Sequence, residues 1–249
     1  MKLLFASITY GSTDPEANRS HRAAIMQAAN AGHTWVGDVS PDHMKWDDAR
    51  NVVVGEALNN PDCEADAIFW VDSDIVLPPY AIARMAHYQR DFVTGIYFQK
   101  EYPYWPLIAH LNKEKTGFNW YMTWPKDTLA PIDGCGFGCV MTSTKMLRAM
   151  GDAPWFYFDQ FSEDFTFCLK ARDAGFPLLV DTGIICEHQG KPFKARFEDF
   201  KRSHPTFYPN EKENDNGRLR HLYAERDVVL SGHGSEGREG EAVLQAARV

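Results

Sequence analysis

Residues 67–79 read AIFWVDSDIVLPP, and two carboxylates stand where a strongly apolar run ends. Ala67 to Val71 has the composition of a strand buried on both faces, because β-branched and aromatic residues dominate and no polar residue interrupts them. Asp72, Ser73 and Asp74 follow together, ahead of more apolar residues and the Pro78-Pro79 pair. Turns favour Asp, so a solvent-facing turn is the plain reading of the cluster. The chemical reading is a site for a divalent cation and a phosphorylated ligand. Two carboxylates flanking a small residue offer the oxygen ligands that Mg²⁺ and Mn²⁺ prefer, with phosphates completing the shell.

Outward from this stretch, residues 1–100 alternate strand and helix. Leu3 to Thr9 is a strand candidate, and Ala17 to Ala31 a helix with Ala24, Ile25, Ala28 and Ala29 along one side. Thr34 to Val39 is a second strand, Asp47 to Leu58 a second helix, and Ala67 to Val71 the third strand. Pro78-Pro79 suits the first turn of a helix running to about Gln89, since proline lacks only a donor that this position leaves unpaired. Phe92 to Phe98 reads as a further strand. This order predicts an α/β fold with a mostly parallel, doubly wound sheet flanked by helices. Such sheets bind ligands outside the carboxyl ends of their strands, which is where Asp72 to Asp74 fall.

Tyr102 to Thr142 is aromatic-rich, with strand-like runs at Trp105 to Leu111 and Asn119 to Trp124, and reads as a mixed or antiparallel extension. Trp105, Trp120 and Trp124 suit either stacking on a ring-shaped ligand or a place in the core. Ser143 to Met150 and Ser162 to Ala174 read as helices, the second with Ser162 as N-cap and Gly175 as its stop. Pro177 to Cys186 reads as a strand. Residues 1–205 are expected to form one domain, with residues 1–100 and 101–205 as its two halves. Residues 206–249 form a polar, partly flexible extension, with a short helix at Glu241 to Arg248.

The chain has 249 residues, enough for a sizeable core, with 44% hydrophobic and 24% charged residues. A net charge of −8 disfavours broad attraction to nucleic acid or anionic membrane. No apolar run approaches the roughly 20 residues of a membrane span, and the apolar start is too short for a signal-peptide core. The five cysteines are scattered and odd in number, which suits reduced thiols and a cytoplasmic location. Cys135 and Cys139 lack a second Cys/His pair for structural zinc. There is no Walker A loop, so an ATPase is disfavoured.

Five segments together resemble the GT-A glycosyltransferases, which transfer sugars from nucleotide-sugar donors. Asp72-Ser73-Asp74 after a buried strand is similar to their DxD motif. Ala49-Arg50-Asn51 resembles an upstream "ARN", and Gly134-Cys135-Gly136-Phe137-Gly138 a glycine-bearing segment before the acceptor region. Ser162-Glu163-Asp164 resembles the "ED" motif, and Glu187-His188-Gln189-Gly190-Lys191-Pro192-Phe193 the late histidine motif. The resemblance spans Leu3 to Phe193 and implies residues 1–100 as a nucleotide-binding half. It implies Mn²⁺ or Mg²⁺ held by Asp74 and His188, with Asp72 on the metal or on the ribose, beside Ser73. The implied donor is a UDP-sugar, with Lys191 on its distal phosphate, Arg50 touching the nucleotide, and Thr9, Tyr10 and Asp38 holding base and ribose. Asp164, with Glu163 beside it, is the implied general base, which favours inversion. The His-x-Gly-Lys-Pro-Phe run also resembles retaining enzymes, so the stereochemistry stays open.

The acceptor is a hydroxyl on a glycan, a small molecule or a modified nucleobase in DNA. Small enzymes of this kind occur in bacteria and bacteriophages, which for a phage protein means the host cytoplasm. Each motif has a structural counterpart: acids in a helix's first turn complement its dipole, and a histidine after a strand can be a core residue. The basic, aromatic run Lys191 to His204 suits an amphipathic helix, a flap closing over the diphosphate, or a contact to a polyanionic acceptor. A nucleotide-sugar-forming nucleotidyltransferase would want a G-x-G-T-R loop, which Tyr10 to Asp14 does not supply. A non-catalytic nucleotide- or sugar-binding module is disfavoured by the intact acidic residues and His188.

Overall fold

The computed structural model describes residues 1–190 and 194–208. The first part of the chain runs β1 (Lys2–Ile8), α1 (Pro15–Asn30), β2 (Thr34–Val39), α2 (Trp46–Asn59), β3 (Ala67–Asp72), β4 (Ile75–Val76), α3 (Ala81–His87) and β5 (Phe92–Ile96). There follow β6 (Ile108–Leu111), β7 (Phe118–Trp120), β8 (Leu129–Ile132), β9 (Gly134–Cys135), β10 (Cys139–Ser143), α4 (Thr144–Ala149) and α5 (Glu163–Asp173). The last elements are β11 (Leu178–Ile185), β12 (Glu187–Gln189), β13 (Lys194–Ala195) and α6 (Phe197–Ser203).

The central sheet has the order β2-β1-β3-β10-β5-β11-β8. It is mostly parallel, as expected: β2, β1 and β3 pair in parallel, and so do β5 and β11. Helices cover both faces, which explains the unbroken apolar strands, since alternate residues enter different cores. Leu3, Phe5, Phe69 and Val71 meet Ala24, Ala28, Ile82 and Met85 of α1 and α3. Leu4, Ala6, Ile68 and Trp70 meet Val53, Val54, Met146, Leu147 and Phe167 of α2, α4 and α5. The indole of fully buried Trp70 donates to the Thr142 hydroxyl at 2.8 Å, satisfying the one polar atom it takes inside.

One strand interrupts the parallel run: β10 is inserted between β3 and β5 and runs antiparallel to both. Val140 enters one core while Cys139 and Met141 enter the other. A strand so buried on both faces belongs in the middle of a sheet, wherever it falls in the sequence. One helix start also differs, and one cap is made in another way. Pro78 and Pro79 precede α3 by a turn in which the Ala81 amide donates to the Pro78 carbonyl at 3.0 Å. Ser162 is the N-cap of α5, but its hydroxyl donates to the Asp164 carboxylate instead of capping the helix.

The extension is antiparallel, with β6 between β7 and β9. Trp124 is half-buried and stacks on Phe200 of α6 with ring centres 5.7 Å apart, while Trp105 lies 4.7 Å from His204. From Phe197 onward the basic, aromatic run is a short amphipathic helix, whose Phe197 and Phe200 stack on Phe98. Tyr208 also packs against Phe200, at 5.4 Å, and its hydroxyl donates to the Met122 carbonyl. Residues 191–193, Lys191 among them, and the rest of the polar extension lie outside the described residues. Among the described residues no helix is long and apolar enough to cross a membrane.

Buried histidines give the fold a pH dependence of definite sign. His21 of α1 is 5% exposed, with Nε2 2.8 Å from the Ile75 carbonyl, and burial lowers its pKa below 6.5. Burial lowers His204 in the same way. The unfolded chain therefore takes up these protons first, so their contribution is complete above about pH 6.5 and is lost on acidification. Melting temperatures followed from about pH 7.5 to 5.5 should fall. The fall should be smaller for His21→Gln, and an equal fall in both proteins would exclude His21 as a source.

Candidate active site

The carboxyl edge of the sheet gathers side chains from far along the sequence. β3 ends on Asp72, level with Ile8 of β1. Ser73 is held between the end of β1 and the start of α1: its amide donates to the Ile8 carbonyl and its carbonyl accepts from the Asp14 amide, both at 3.1 Å. The chain then enters β4, which pairs antiparallel with β12 so that His188 lies opposite Ile75. The Gln189 amide donates to the Asp74 carbonyl at 2.8 Å, fixing the two segments side by side. The fold thus places His188 Nε2 3.4 Å from Asp74 Oδ1. His188 Nδ1 lies 2.7 Å from the Phe98 carbonyl.

A carbonyl only accepts, so Nδ1 carries a hydrogen. Nε2 faces the Asp74 carboxylate: protonated, it donates to it, and neutral, it turns a lone pair toward it, an arrangement that a cation between them satisfies. The other oxygen of Asp74 pairs with the Lys100 ammonium. Burial alone would raise the Asp74 pKa, but the hydrogen bonds and charges of His188 and Lys100 overcome it and bring it to about 2. Asp74 and His188 fit Mn²⁺ or Mg²⁺, ions that commonly use one or two protein ligands and complete their shell with water and phosphate oxygens. Among the described residues no group of three His, Cys, Asp or Glu side chains is gathered as a complete cage.

Behind this edge lies a buried ionic layer. The Arg50 guanidinium of α2, only 4% exposed, pairs with Glu163 Oε1 at the start of α5 and lies 3.4 Å from Asp72 Oδ1. It also sits over the rings of Phe137 and Phe156 at 5.5 and 5.8 Å, where a delocalised cation is favoured. Arg50, expected to touch the nucleotide, is enclosed here and braces Asp72 and Glu163. Burial raises the pKa of Asp72, Glu163 and Asp164, with the Arg50 charge opposing the rise at each. Asp164 is held by the Ser162 hydroxyl and by the Phe165 amide at 2.8 Å.

The glycines of residues 134–138 make room beside these acids. A Cβ on Gly136 would stand 2.1 Å from the Tyr97 hydroxyl and 3.5 Å from Asp164 Oδ2, so the backbone passes where no side chain fits. The same hydroxyl accepts from the Gly138 amide at 2.9 Å, and the Tyr97 ring meets His188 edge-on at 5.4 Å.

Thr9 and Tyr10 occupy the same edge. Thr9 bridges to Asp42, whose carboxylate accepts from the Gly11 amide at 2.8 Å, and the exposed Tyr10 ring lies 5.3 Å from His43. Asp38 stands apart, on edge strand β2 level with Phe5, its carboxylate accepting from Ser40. Lys191 lies outside the described residues. The sequence reading passed over Lys100, Tyr97 and Asp42. Lys100 and Tyr97 could have been found by asking which polar residues close the strand predicted at Phe92 to Phe98, because it ends at the same edge as β3.

The ionic layer should be costly to break. Removing one partner of a buried ion pair costs about 3–5 kcal/mol, and Arg50→Met leaves two carboxylates without their cation. Denaturant unfolding should show a loss of that order. Adding Glu163→Gln to Arg50→Met should recover part of it, and a loss below about 1 kcal/mol would place the pair in the weak class of surface bridges.

No protein-family model matches the sequence, and no curated protein matches it. Solved structures with a similar fold include A197 from STIV, 16% identical over 79% of this chain and 94% of that one, with a TM-score of 0.49. GalNAc-T7, in a crystal structure with UDP, GalNAc and Mn²⁺, is 8% identical over 82% of this chain, which spans 47% of that chain, with a TM-score of 0.49. The catalytic domain of Drosophila beta1,4galactosyltransferase 7, in complex with xylobiose, is 12% identical over 91% of this chain and 81% of that one, with a TM-score of 0.45.

Proposed function

We propose that the chain is a metal-dependent, GT-A-like glycosyltransferase that moves a sugar from a nucleotide-sugar donor to a hydroxyl acceptor. The observation that supports it best is the meeting of the Asp72-Ser73-Asp74 turn and His188 at one sheet edge, backed by the buried Arg50, Glu163 and Asp164. Asp74 and His188 would hold Mn²⁺ or Mg²⁺, which when bound supplies positive charge to the diphosphate leaving group. Asp72, braced by Arg50, faces the same charge or the donor ribose, with Ser73 beside it. Thr9 and exposed Tyr10 hold the base of a donor we read as a UDP-sugar. Asp38 and Lys191 remain proposed contacts to its ribose and distal phosphate.

Asp164 would take the proton of the acceptor hydroxyl, in an inverting displacement. Burial raises its pKa, which makes it a stronger base than an ordinary carboxylate, and its two donors hold it in place.

Turnover of a UDP-sugar should fall roughly 100-fold or more in Asp164→Asn with nucleotide affinity kept, because an amide cannot accept the proton. The acid limb of the wild-type rate profile should lie above the ordinary value of 3.8, since the base works only when deprotonated. Near-normal turnover would transfer the role to Glu163 or favour retention. Separately, Asp74→Ala should abolish the Mn²⁺ dependence of UDP binding in calorimetry while the far-UV spectrum is unchanged. UDP affinity that responds to Mn²⁺ as before would remove Asp74 from the metal site.

A further inference from the structure

We propose that Lys100 is an exchangeable cation of the site: its ammonium holds Asp74 when no metal is bound, and moves to the donor diphosphate when one is. The proposal rests on the glycosyltransferase reading and adds a residue and an order of events to it. Lys100 follows the end of β5 by a few residues, and Phe98, two residues earlier, supplies the carbonyl that orients His188. One short segment therefore sets both neighbours of Asp74: His188 on Oδ1 and Lys100 on Oδ2.

The two basic partners are not equally fixed. His188 is locked by the Phe98 carbonyl and by the β4–β12 pairing, and its side chain is 12% exposed. The Lys100 side chain is 43% exposed and meets Asp74 through a flexible four-carbon stem. A half-exposed ion pair of this kind is weak, so a divalent ion can displace the ammonium at little cost. The ammonium stays attached to the same segment and within reach of whatever the metal holds.

Charge favours the exchange over simple loss. In the cluster around Arg50 and Lys100, the carboxylates Asp72, Asp74, Glu163 and Asp164 outnumber these two cations by two. A divalent ion matches that excess. A diphosphate arriving with it brings several new negative charges, which the displaced ammonium can meet with a charge-assisted hydrogen bond. Resting on Asp74, the lysine is kept from folding away into solvent before donor arrives.

The test uses the full chain, with Mn²⁺ alone and then inorganic pyrophosphate in saturating Mn²⁺ as probes, followed by calorimetry and by loss of the free Mn²⁺ resonance signal. Lys100→Met should bind Mn²⁺ alone about two- to fivefold tighter, because no cation must be displaced. The same variant should bind pyrophosphate about tenfold or more weakly, having lost one charged contact. Lys100→Arg should restore most of the pyrophosphate affinity. A misfolded variant weakens both probes, so opposite responses identify the exchange. Unchanged or weaker Mn²⁺ binding, or unchanged pyrophosphate affinity, overturns the proposal for Lys100 while leaving the glycosyltransferase reading intact. A wild-type protein that binds neither probe overturns both.

Discussion

The guanidinium of Arg50 is the constraint on which the arrangement of the site depends. It comes from α2, pairs with Glu163 at the first residue of α5, and reaches Asp72 at the last residue of β3. Three elements from distant parts of the chain are therefore held to one charged atom group. Each charge gives up most of its hydration, and the mutual attraction roughly offsets that loss. Its main effect is thus positional: any shift of α5 relative to β3 would leave a carboxylate buried without its cation. The aromatic floor of Phe137 and Phe156 beneath the guanidinium adds shape to the same requirement.

The sheet supplies the rest of the rigidity. Strands buried on both faces cannot slide without carrying an entire set of side chains into the wrong core, so the edge where they end is a fixed reference. Onto this edge the fold adds groups of graded freedom. Arg50 and Glu163 are enclosed, Asp72 and Asp74 are partly open, and Lys100 and Tyr10 face solvent. Such an order, from fixed to free, suits a site that must stay assembled while a charged ligand enters and leaves.

Much of this was legible in the sequence, for reasons that can be named. The unbroken apolar run Ala67 to Val71 signalled a two-sided strand, and Asp72 to Asp74 marked where it leaves the core. His188, Glu163 and Asp164 were singled out by their resemblance to glycosyltransferase motifs, since a place after a strand or in a helix's first turn suits a structural role as well. The neighbours of each strand were not legible. Val140 and Met141 read as buried, but no local pattern says that they separate β3 from β5. The pairing of Arg50 was not legible for the same reason: its partners lie on other elements, and a charge in sequence carries no sign of its burial. Lys100 was missed because a lone lysine after a strand looks like any surface residue.

The small sheet of β4, β12 and β13 has a consequence for how the chain tolerates change in length. Asp74 and His188 face each other only because Glu187 lies opposite Val76 and His188 opposite Ile75. Side chains on a strand alternate in direction, so inserting or deleting a single residue in either short segment would turn the imidazole to the opposite face. The long stretch between them carries no such restriction where it forms loops, such as the turn joining β6 and β7. Length variation among chains built on this plan should therefore collect in the loops of residues 102–142, while the few residues on either side of Asp74 and His188 keep a fixed count.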